Sequence, residues 1–164
     1  MTDHQIHDTG YKLLFSHAEL VQQLLEGFAP PELVKLLDFG TLTLANGSYV
    51  TPAMKQREDD VVWSVSMGDN TLYLYILLEF QSTVDAAMPV RMMQYVAALY
   101  ESLIKEKSIN PSEGLPPVFP IVLYNGDQRW QVATNIAELI QCPSVLTPYQ
   151  PNMAYYLLDE GAYS

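Results

Sequence analysis

The stretch "LYLYILLEFQS", residues 72–82, decides how this chain folds. It begins with seven consecutive apolar or aromatic residues, a pattern typical of a buried β-strand. The run ends in a carboxylate and an amide, Glu79 and Gln81. Side chains alternate along a strand, so both point to the same face of the sheet. Either the strand reaches solvent at Glu79, or this carboxylate is a ligand for a metal ion.

The residues before this strand predict a β-hairpin. The segment "DDVVWSVS", residues 59–66, is rich in β-branched and aromatic residues and reads as the first strand. The segment "MGDN", residues 67–70, is a tight turn. The two strands are therefore expected to pair in antiparallel fashion, with their far ends close together.

The register of this hairpin decides whether two carboxylates meet. A two-residue turn at Asp69 and Asn70 places Asp60 directly opposite Glu79, with Cβ atoms about 4.5–5.5 Å apart on one face. Like charges at that distance destabilise a sheet unless a cation compensates, and Mg²⁺ favours one or two carboxylates with water and phosphate oxygens. A three-residue turn would pair Asp60 with Leu78 and put it on the other face, so the register stays open.

The flanking sequence predicts helices around a mixed sheet. Ser16 and Glu19 have the spacing of a capping box at the start of a helix. The other predicted helices cover 7–15, 31–37, 88–107 and 136–141, and the other predicted strands lie in 41–51, with a turn signal at Asn46-Gly47, and over 118–124. The helix over 88–107 carries a predicted apolar stripe: Met88, Met92, Tyr95, Leu99 and Leu103. The order helix, three strands, helix, strand predicts an α/β or α+β domain with a mixed central sheet flanked by helices.

The bulk composition limits the class of protein. The 164 residues fit a single domain over 1–164. No apolar run reaches the roughly 18–20 residues of a membrane span, the N-terminus shows no signal peptide, and Cys142 is the single cysteine. We therefore expect a cytoplasmic protein with no membrane partner. The net charge of −11 opposes non-specific attraction to DNA. The ending "YYLLDEGAYS" reads like a boundary, so we expect that the full-length protein has a further C-terminal part.

Four segments together resemble a known family. They are "HDTGYKLLFS" (7–16), "REDDVVWSV" (57–65), "LYLYILLEFQSTVDAAMPVRMMQY" (72–95) and "PPVFPIVLYNG" (116–126) with Trp130. Asp60, eighteen intervening residues and then Glu79-Phe80-Gln81 resemble the signature of the PD-(D/E)XK nuclease superfamily. More specifically, the chain resembles the recombination-promoting nuclease (Rpn) family, also labelled YhgA-like transposases. Each segment alone is a weak motif; the four in this order are fairly specific.

The resemblance implies a restriction-endonuclease-like core, α-β-β-β-α-β, and a DNA endonuclease that promotes recombination. It implies a Mg²⁺ site, with Mn²⁺ as an alternative, formed by Asp60, Glu79 and the carbonyl of Phe80. Glu79 would help to position the attacking water. Gln81 stands where the superfamily usually has Lys, and it can orient a water or a phosphate but cannot supply a positive charge. This departure is compatible with a slow enzyme, or with one that needs a second cation.

Three further residues are candidates for DNA binding. Arg91 and Gln94 share one face of the predicted helix after the motif and could reach a phosphate, although a solvated face is an equal alternative. Lys12 could approach phosphate from the N-terminal segment. Glu19 could be a helix-borne acid of the metal site, but the capping box is the simpler interpretation.

Two other functions stay open. The fold could be a catalytically degenerate nuclease that acts as a protein-interaction or regulatory module, which the net charge and Gln81 both favour. A transposase proper is hard to separate from a nuclease without strand-transfer activity. DNA is the expected partner, and a homodimer is an open alternative.

Overall fold

The computed structural model describes residues 13–45, 60–79 and 84–160 of the chain. The α-helices in these segments include α1 (Ala18–Phe28), α2 (Pro31–Val34) and α3 (Met88–Lys105). The strands are β1 (Leu37–Leu44), β2 (Asp60–Met67), β3 (Asn70–Glu79), β4 (Val118–Tyr124) and β5 (Tyr156–Asp159). Short 3₁₀ helices occupy Pro111–Glu113, Ile136–Leu139 and Ser144–Tyr149. The predicted order of helix, three strands, helix and strand is confirmed.

The strands form one mixed sheet in the order β1-β2-β3-β4-β5. The first three strands are antiparallel neighbours, whereas β4 is parallel to β3 and β5 is parallel to β4. The β3–β4 connection contains α3, because a parallel pair needs a crossover long enough to return to the starting edge. This five-stranded sheet flanked by helices is compatible with the restriction-endonuclease-like fold expected from the sequence.

The core lies in two layers, one on each face of the sheet. On one face Val21, Leu24 and Leu25 of α1 pack against the sheet, and on the other face the apolar stripe of α3 does so. The predicted stripe of α3 is confirmed, because all five of its residues are buried: Met88, Met92, Tyr95, Leu99 and Leu103. β3 lies between the two layers, which explains why its sequence is apolar on both sides rather than alternating.

The hairpin of β2 and β3 forms with a register that differs from the predicted one. Met67 pairs with Asn70, so the turn residues are Gly68 and Asp69. Gly68 has a φ of +62°, which a tight hairpin turn favours at its first central position and which glycine adopts without steric cost. The pairing is shifted by two residues, and the partner of Asp60 is Leu77 instead of Glu79. Because the shift is even, the face that Asp60 shares with Glu79 is unchanged.

The start of α1 corrects a second prediction. His17 is the N-cap residue and its side chain makes no capping hydrogen bond, so α1 begins one residue later than a capping box with Ser16 as N-cap requires. Glu19 is exposed on α1, which packs on the face opposite to Glu79. The predicted helix over 31–37 ends earlier, because Leu37 already begins β1. The turn predicted at Asn46-Gly47 lies outside the described residues, as does most of the helix predicted over 7–15.

Candidate metal site at one end of the sheet

The two predicted carboxylates lie at the same end and on the same face of the sheet. Asp60 is the first residue of β2 and Glu79 is the last residue of β3. Since Asp60 pairs with Leu77, Glu79 is its diagonal neighbour, a relation that separates the residues by about 7–8 Å. Val62, Tyr75 and Leu77 on this face pack against α3, so both carboxylates lie on the α3 side. The two carboxylates therefore lie on one face at one end of the hairpin, which is the arrangement that a shared cation would need.

The orientation of Asp60 is fixed by a buried tyrosine. The hydroxyl of Tyr75 donates a hydrogen bond to Oδ2 of Asp60. Tyr75 itself is fully buried, and its ring stacks on Tyr95 of α3, with 5.9 Å between ring centroids and 6° between planes. Asp60 remains partly exposed. The carboxylate is therefore held from the protein side while it stays open to solvent.

Glu79 is buried despite its charge. Its side chain is 2% exposed, and within the segments that the structure describes Glu79 is the one charged residue that is buried. Burying a carboxylate is costly unless a positive charge or hydrogen bonds compensate. Nη2 of Arg91 lies 3.3 Å from Oε2 of Glu79 and supplies such a charge. The alternative in which β3 simply reaches solvent at Glu79 is therefore wrong.

Arg91 lies in the first turn of α3 and bridges two acids. Its Nη1 donates to Oδ2 of Asp85 at 2.7 Å, while its Nε contacts the hydroxyl of Tyr95 at 3.4 Å. Burial lowers the pKa of Arg91, but the hydrogen bonds to Tyr95 and Asp85 and the charge of Glu79 more than offset this, so the pKa is raised. Arg91 is therefore a permanent cation, 15% exposed, beside Glu79.

Asp85 is positioned by the start of α3. Its Oδ1 accepts a hydrogen bond of 2.8 Å from the backbone N–H of Ala87, and its carbonyl accepts one of 3.1 Å from Met88. Its other carboxylate oxygen holds Arg91. Asp85 was not among the site residues predicted from the sequence. The signal that could have identified Asp85 is its position three residues before Met88, because an acidic residue just before a helix is typical of a helix start.

The neighbouring parallel strands continue the row of polar groups. Tyr124 of β4 pairs with Glu79, and Asp159 of β5 pairs with Tyr124. Burial raises the pKa of Tyr124, and the charge of Asp159 adds to this effect, so the tyrosine stays neutral. Asp159 forms an ion pair of 3.4 Å with Arg129. Trp130 packs edge-on against Tyr124 with 4.9 Å between the two ring centroids.

A substitution at Gly126 tests the packing of this end of the sheet. A Cβ at Gly126 would overlap the hydroxyl and ring of Tyr124, which is fully buried and has no room to move away. We expect Gly126→Ala to lower the free energy of unfolding by about 1–3 kcal/mol. Urea denaturation measures this. Gly27→Ala is the control: a methyl group there would extend into open space, and alanine favours a helix, so it should stabilise the protein by about 0.5–1 kcal/mol. Equal effects of both substitutions would contradict the packing.

The donor set of this end of the sheet fits a hard divalent cation. Within the segments that the structure describes, no three His, Cys, Asp or Glu side chains are grouped to hold a metal ion. Mg²⁺ does not require such a cage, since it keeps several waters and takes one or two carboxylates. Asp60 and Glu79 provide that number. Phe80 and Gln81, the other predicted members of the site, lie outside the described residues, as does Lys12.

The remaining candidates lie apart from this pair. Gln94 is exposed on α3, one turn beyond Arg91, so it is accessible but makes no contact that identifies a role. A cavity of about 460 Å³ lies at the opposite end of the sheet, lined by residues that include Asn70, Tyr73 and Ser108. It contains none of the predicted site residues. The candidate site is therefore separate from this cavity.

Fold and geometry together define a class: a mixed-sheet α/β protein with two carboxylates at the end of a central hairpin. The chain belongs to the family described as "Putative transposase, YhgA-like", whose profile matches residues 5–164. This agrees with the resemblance found in the sequence segments.

Several curated proteins are similar to this chain. Recombination-promoting nuclease RpnC of Escherichia coli (strain K12) is 38% identical over 122 residues, which are 74% of this chain and 39% of that protein. Recombination-promoting nuclease RpnD of Escherichia coli O157:H7 is 30% identical over 74% of this chain and 46% of that protein. A third relative, 29% identical over 74% of this chain and 39% of its own length, is named inactive recombination-promoting nuclease-like protein RpnE, from strain K12.

The chain spans less than half the length of these three relatives. No solved structure matches the chain. In the described segments, none of the helices has the length and apolar character needed to cross a membrane.

Proposed function

We propose that this domain is a metal-dependent DNA endonuclease that hydrolyses phosphodiester bonds and thereby promotes recombination. The observation that carries the proposal is the juxtaposition of Asp60 and Glu79 on one face at the end of the β2–β3 hairpin. The names of relatives such as RpnC and RpnD support nuclease and recombination roles.

The roles of the side chains follow from their surroundings. Asp60, partly exposed and oriented by Tyr75, and Glu79, buried, would hold Mg²⁺ or Mn²⁺ together with the carbonyl of Phe80. Such a cation, when bound, polarises a phosphoryl oxygen and lowers the pKa of a coordinated water. Gln81 is proposed to orient the water or the phosphate. Gln94 and Lys12 are proposed as phosphate contacts, since neutral and cationic side chains both bind the DNA backbone.

Cleavage of supercoiled plasmid at low salt tests this function. Wild-type protein is expected to nick the plasmid with Mg²⁺ or Mn²⁺ and to stop when a chelator is added. Asp60→Asn keeps the size of the side chain but removes the charge that a divalent cation needs, so the cleavage rate should fall at least about a hundredfold. The matched control is Asp69→Asn, at the exposed turn of the same hairpin, which should leave the rate unchanged.

Each outcome of this assay has a clear meaning. Metal-dependent cleavage that is lost only in Asp60→Asn supports the nuclease and the assignment of its ligand. Equal cleavage by both variants would place the activity elsewhere or in a contaminant. Absence of cleavage by the wild-type domain and by a longer protein containing it would overturn the proposal.

A second candidate function is a protein-interaction or regulatory module on a degenerate nuclease fold. The 3.3 Å ion pair with Arg91, which engages one oxygen of Glu79, favours it, as does the net charge of −11. Relatives named as inactive nuclease-like proteins are compatible with it. Binding measurements distinguish the two functions, because an interaction module would bind neither Mn²⁺ nor DNA at the end of the sheet that carries Asp60.

A further inference from the structure

The guanidinium of Arg91 lies where it competes with a divalent cation for Glu79. Its Nη2 is 3.3 Å from Oε2 of Glu79, inside a site where the carboxylate is 2% exposed and has little access to solvent. A carboxylate oxygen that accepts from a guanidinium is a weaker donor to a metal ion. Two cations close together at low exposure also repel each other, and more strongly than they would in water because the effective dielectric constant is lower.

Asp85 gives Arg91 a second anchor that does not depend on Glu79. The Nη1–Oδ2 contact of 2.7 Å is shorter than the contact to Glu79, and Asp85 is itself fixed by the backbone N–H of Ala87. The ring of Tyr95 supports the guanidinium from below, with 5.9 Å between Cζ and the ring centroid. Arg91 can therefore lose its contact with Glu79 and still keep a charged partner and an aromatic support.

We propose that Arg91 is a positioning residue that acts as a resident counter-ion of Glu79 and sets the affinity of the site for its divalent cation. The inference rests on the proposed metal site. Arg91 contacts the buried carboxylate of Glu79 and orders it, and Arg91 gives up Oε2 when a divalent cation binds, while Asp85 retains the guanidinium. Arg91 thus weakens metal binding, and Asp85 relieves part of this competition.

Two substitutions should change metal affinity in opposite directions. Arg91→Gln removes the competing charge, so we expect the Kd for Mn²⁺ to fall about tenfold or more. Asp85→Asn removes the second anchor and leaves Glu79 as the stronger partner of Arg91, so the Kd should rise roughly threefold. Arg91→Lys keeps the positive charge and should stay within about threefold of the wild type. Mn²⁺ alone is the probe, and electron paramagnetic resonance of free Mn²⁺ measures its binding.

Controls separate this role from structural damage. Arg129→Gln removes an exposed arginine that forms an ion pair with Asp159 of β5. This substitution should leave the Mn²⁺ affinity unchanged. Circular dichroism identifies variants that fail to fold. Folded Arg91→Gln should also show a larger rise in Tm on addition of Mn²⁺ than the wild type. Damage to the fold weakens binding, so tighter binding cannot come from that source.

The outcomes distinguish this inference from the proposed function. Mn²⁺ binding that needs Asp60 but is unchanged or weakened in folded Arg91→Gln would overturn the role of Arg91 and leave the metal site intact. Should Arg91→Gln prove unfolded, the Asp85→Asn protein decides: unchanged or tighter binding in it contradicts the competition. A wild-type protein that binds no Mn²⁺ would overturn both.

Discussion

Replacement of Glu79 by Gln is expected to reduce DNA cleavage at least about a hundredfold while the protein stays folded. The amide keeps the size of the side chain and can still accept a hydrogen bond from Arg91, but it lacks the negative charge that holds a divalent cation. The fold should survive because Arg91 retains its 2.7 Å contact with Asp85. Plasmid cleavage under single-turnover conditions measures the loss.

Glu79→Ala separates the chemical role of this side chain from its structural role. This change removes the packing as well as the charge and leaves the partly buried Arg91 with less compensation, so we expect a loss of about 3 kcal/mol in unfolding free energy. The Glu79→Gln substitution should lower the unfolding free energy by about half as much. Glu101→Gln, an exposed acid on α3, is the control and should change neither quantity. Normal cleavage by folded Glu79→Gln protein would show that Glu79 is not a ligand.

Ile76→Ala is expected to cost about 2–5 kcal/mol of unfolding free energy. Ile76 lies in the middle of β3, is fully buried, and faces the α1 layer, where it packs among Leu74, Leu78 and Ile121. The flanking strands prevent the sheet from collapsing around the missing atoms. A domain of ordinary stability, about 5–15 kcal/mol, would lose a large part of it. Urea denaturation gives the difference.

The matched control for this change is Ile104→Ala on α3. Ile104 is 38% exposed, so its truncation should change the unfolding free energy by no more than about 0.5 kcal/mol. Ile76 points away from the face that carries Asp60 and Glu79. The folded Ile76→Ala protein should therefore retain its cleavage rate below the unfolding transition. Equal costs of the two substitutions would contradict the two-layer core.

The fold was predictable where local pattern and tertiary packing agree. The long apolar run of β3 and the helical stripe from Met88 to Leu103 each predicted the right element. A strand that is buried on both faces appears as a continuous apolar run, whereas a helix that is buried on one face appears as apolar residues three or four positions apart. β5 was missed. Four residues are too few to show a period, and this strand exists because β4 offers an edge to pair with.

The candidate site was predictable only in part. The common face of Asp60 and Glu79 follows from alternation, so it survived an error of two residues in the register. The turn was misplaced because Gly68 and Asn70 both suit tight turns, and the backbone uses the glycine at positive φ. The contact of Tyr75 with Asp60 depends on the actual register, which makes these two residues diagonal neighbours across the hairpin. The contact of Arg91 with Glu79 depends on how α3 lies across the sheet, which spacing along the chain does not encode.

The hairpin of β2 and β3 also bears on the order in which the molecule folds. Its pairs join residues at most 17 positions apart, from Asp60 to Leu77, whereas Tyr73 of β3 pairs with Val118 at a separation of 45. Hairpins close in about 1–10 μs, and long-range parallel pairing is slower because more chain entropy is lost first. We therefore expect the two acids to become neighbours early in folding. The burial that makes Glu79 unusual comes late, when the distant strands dock.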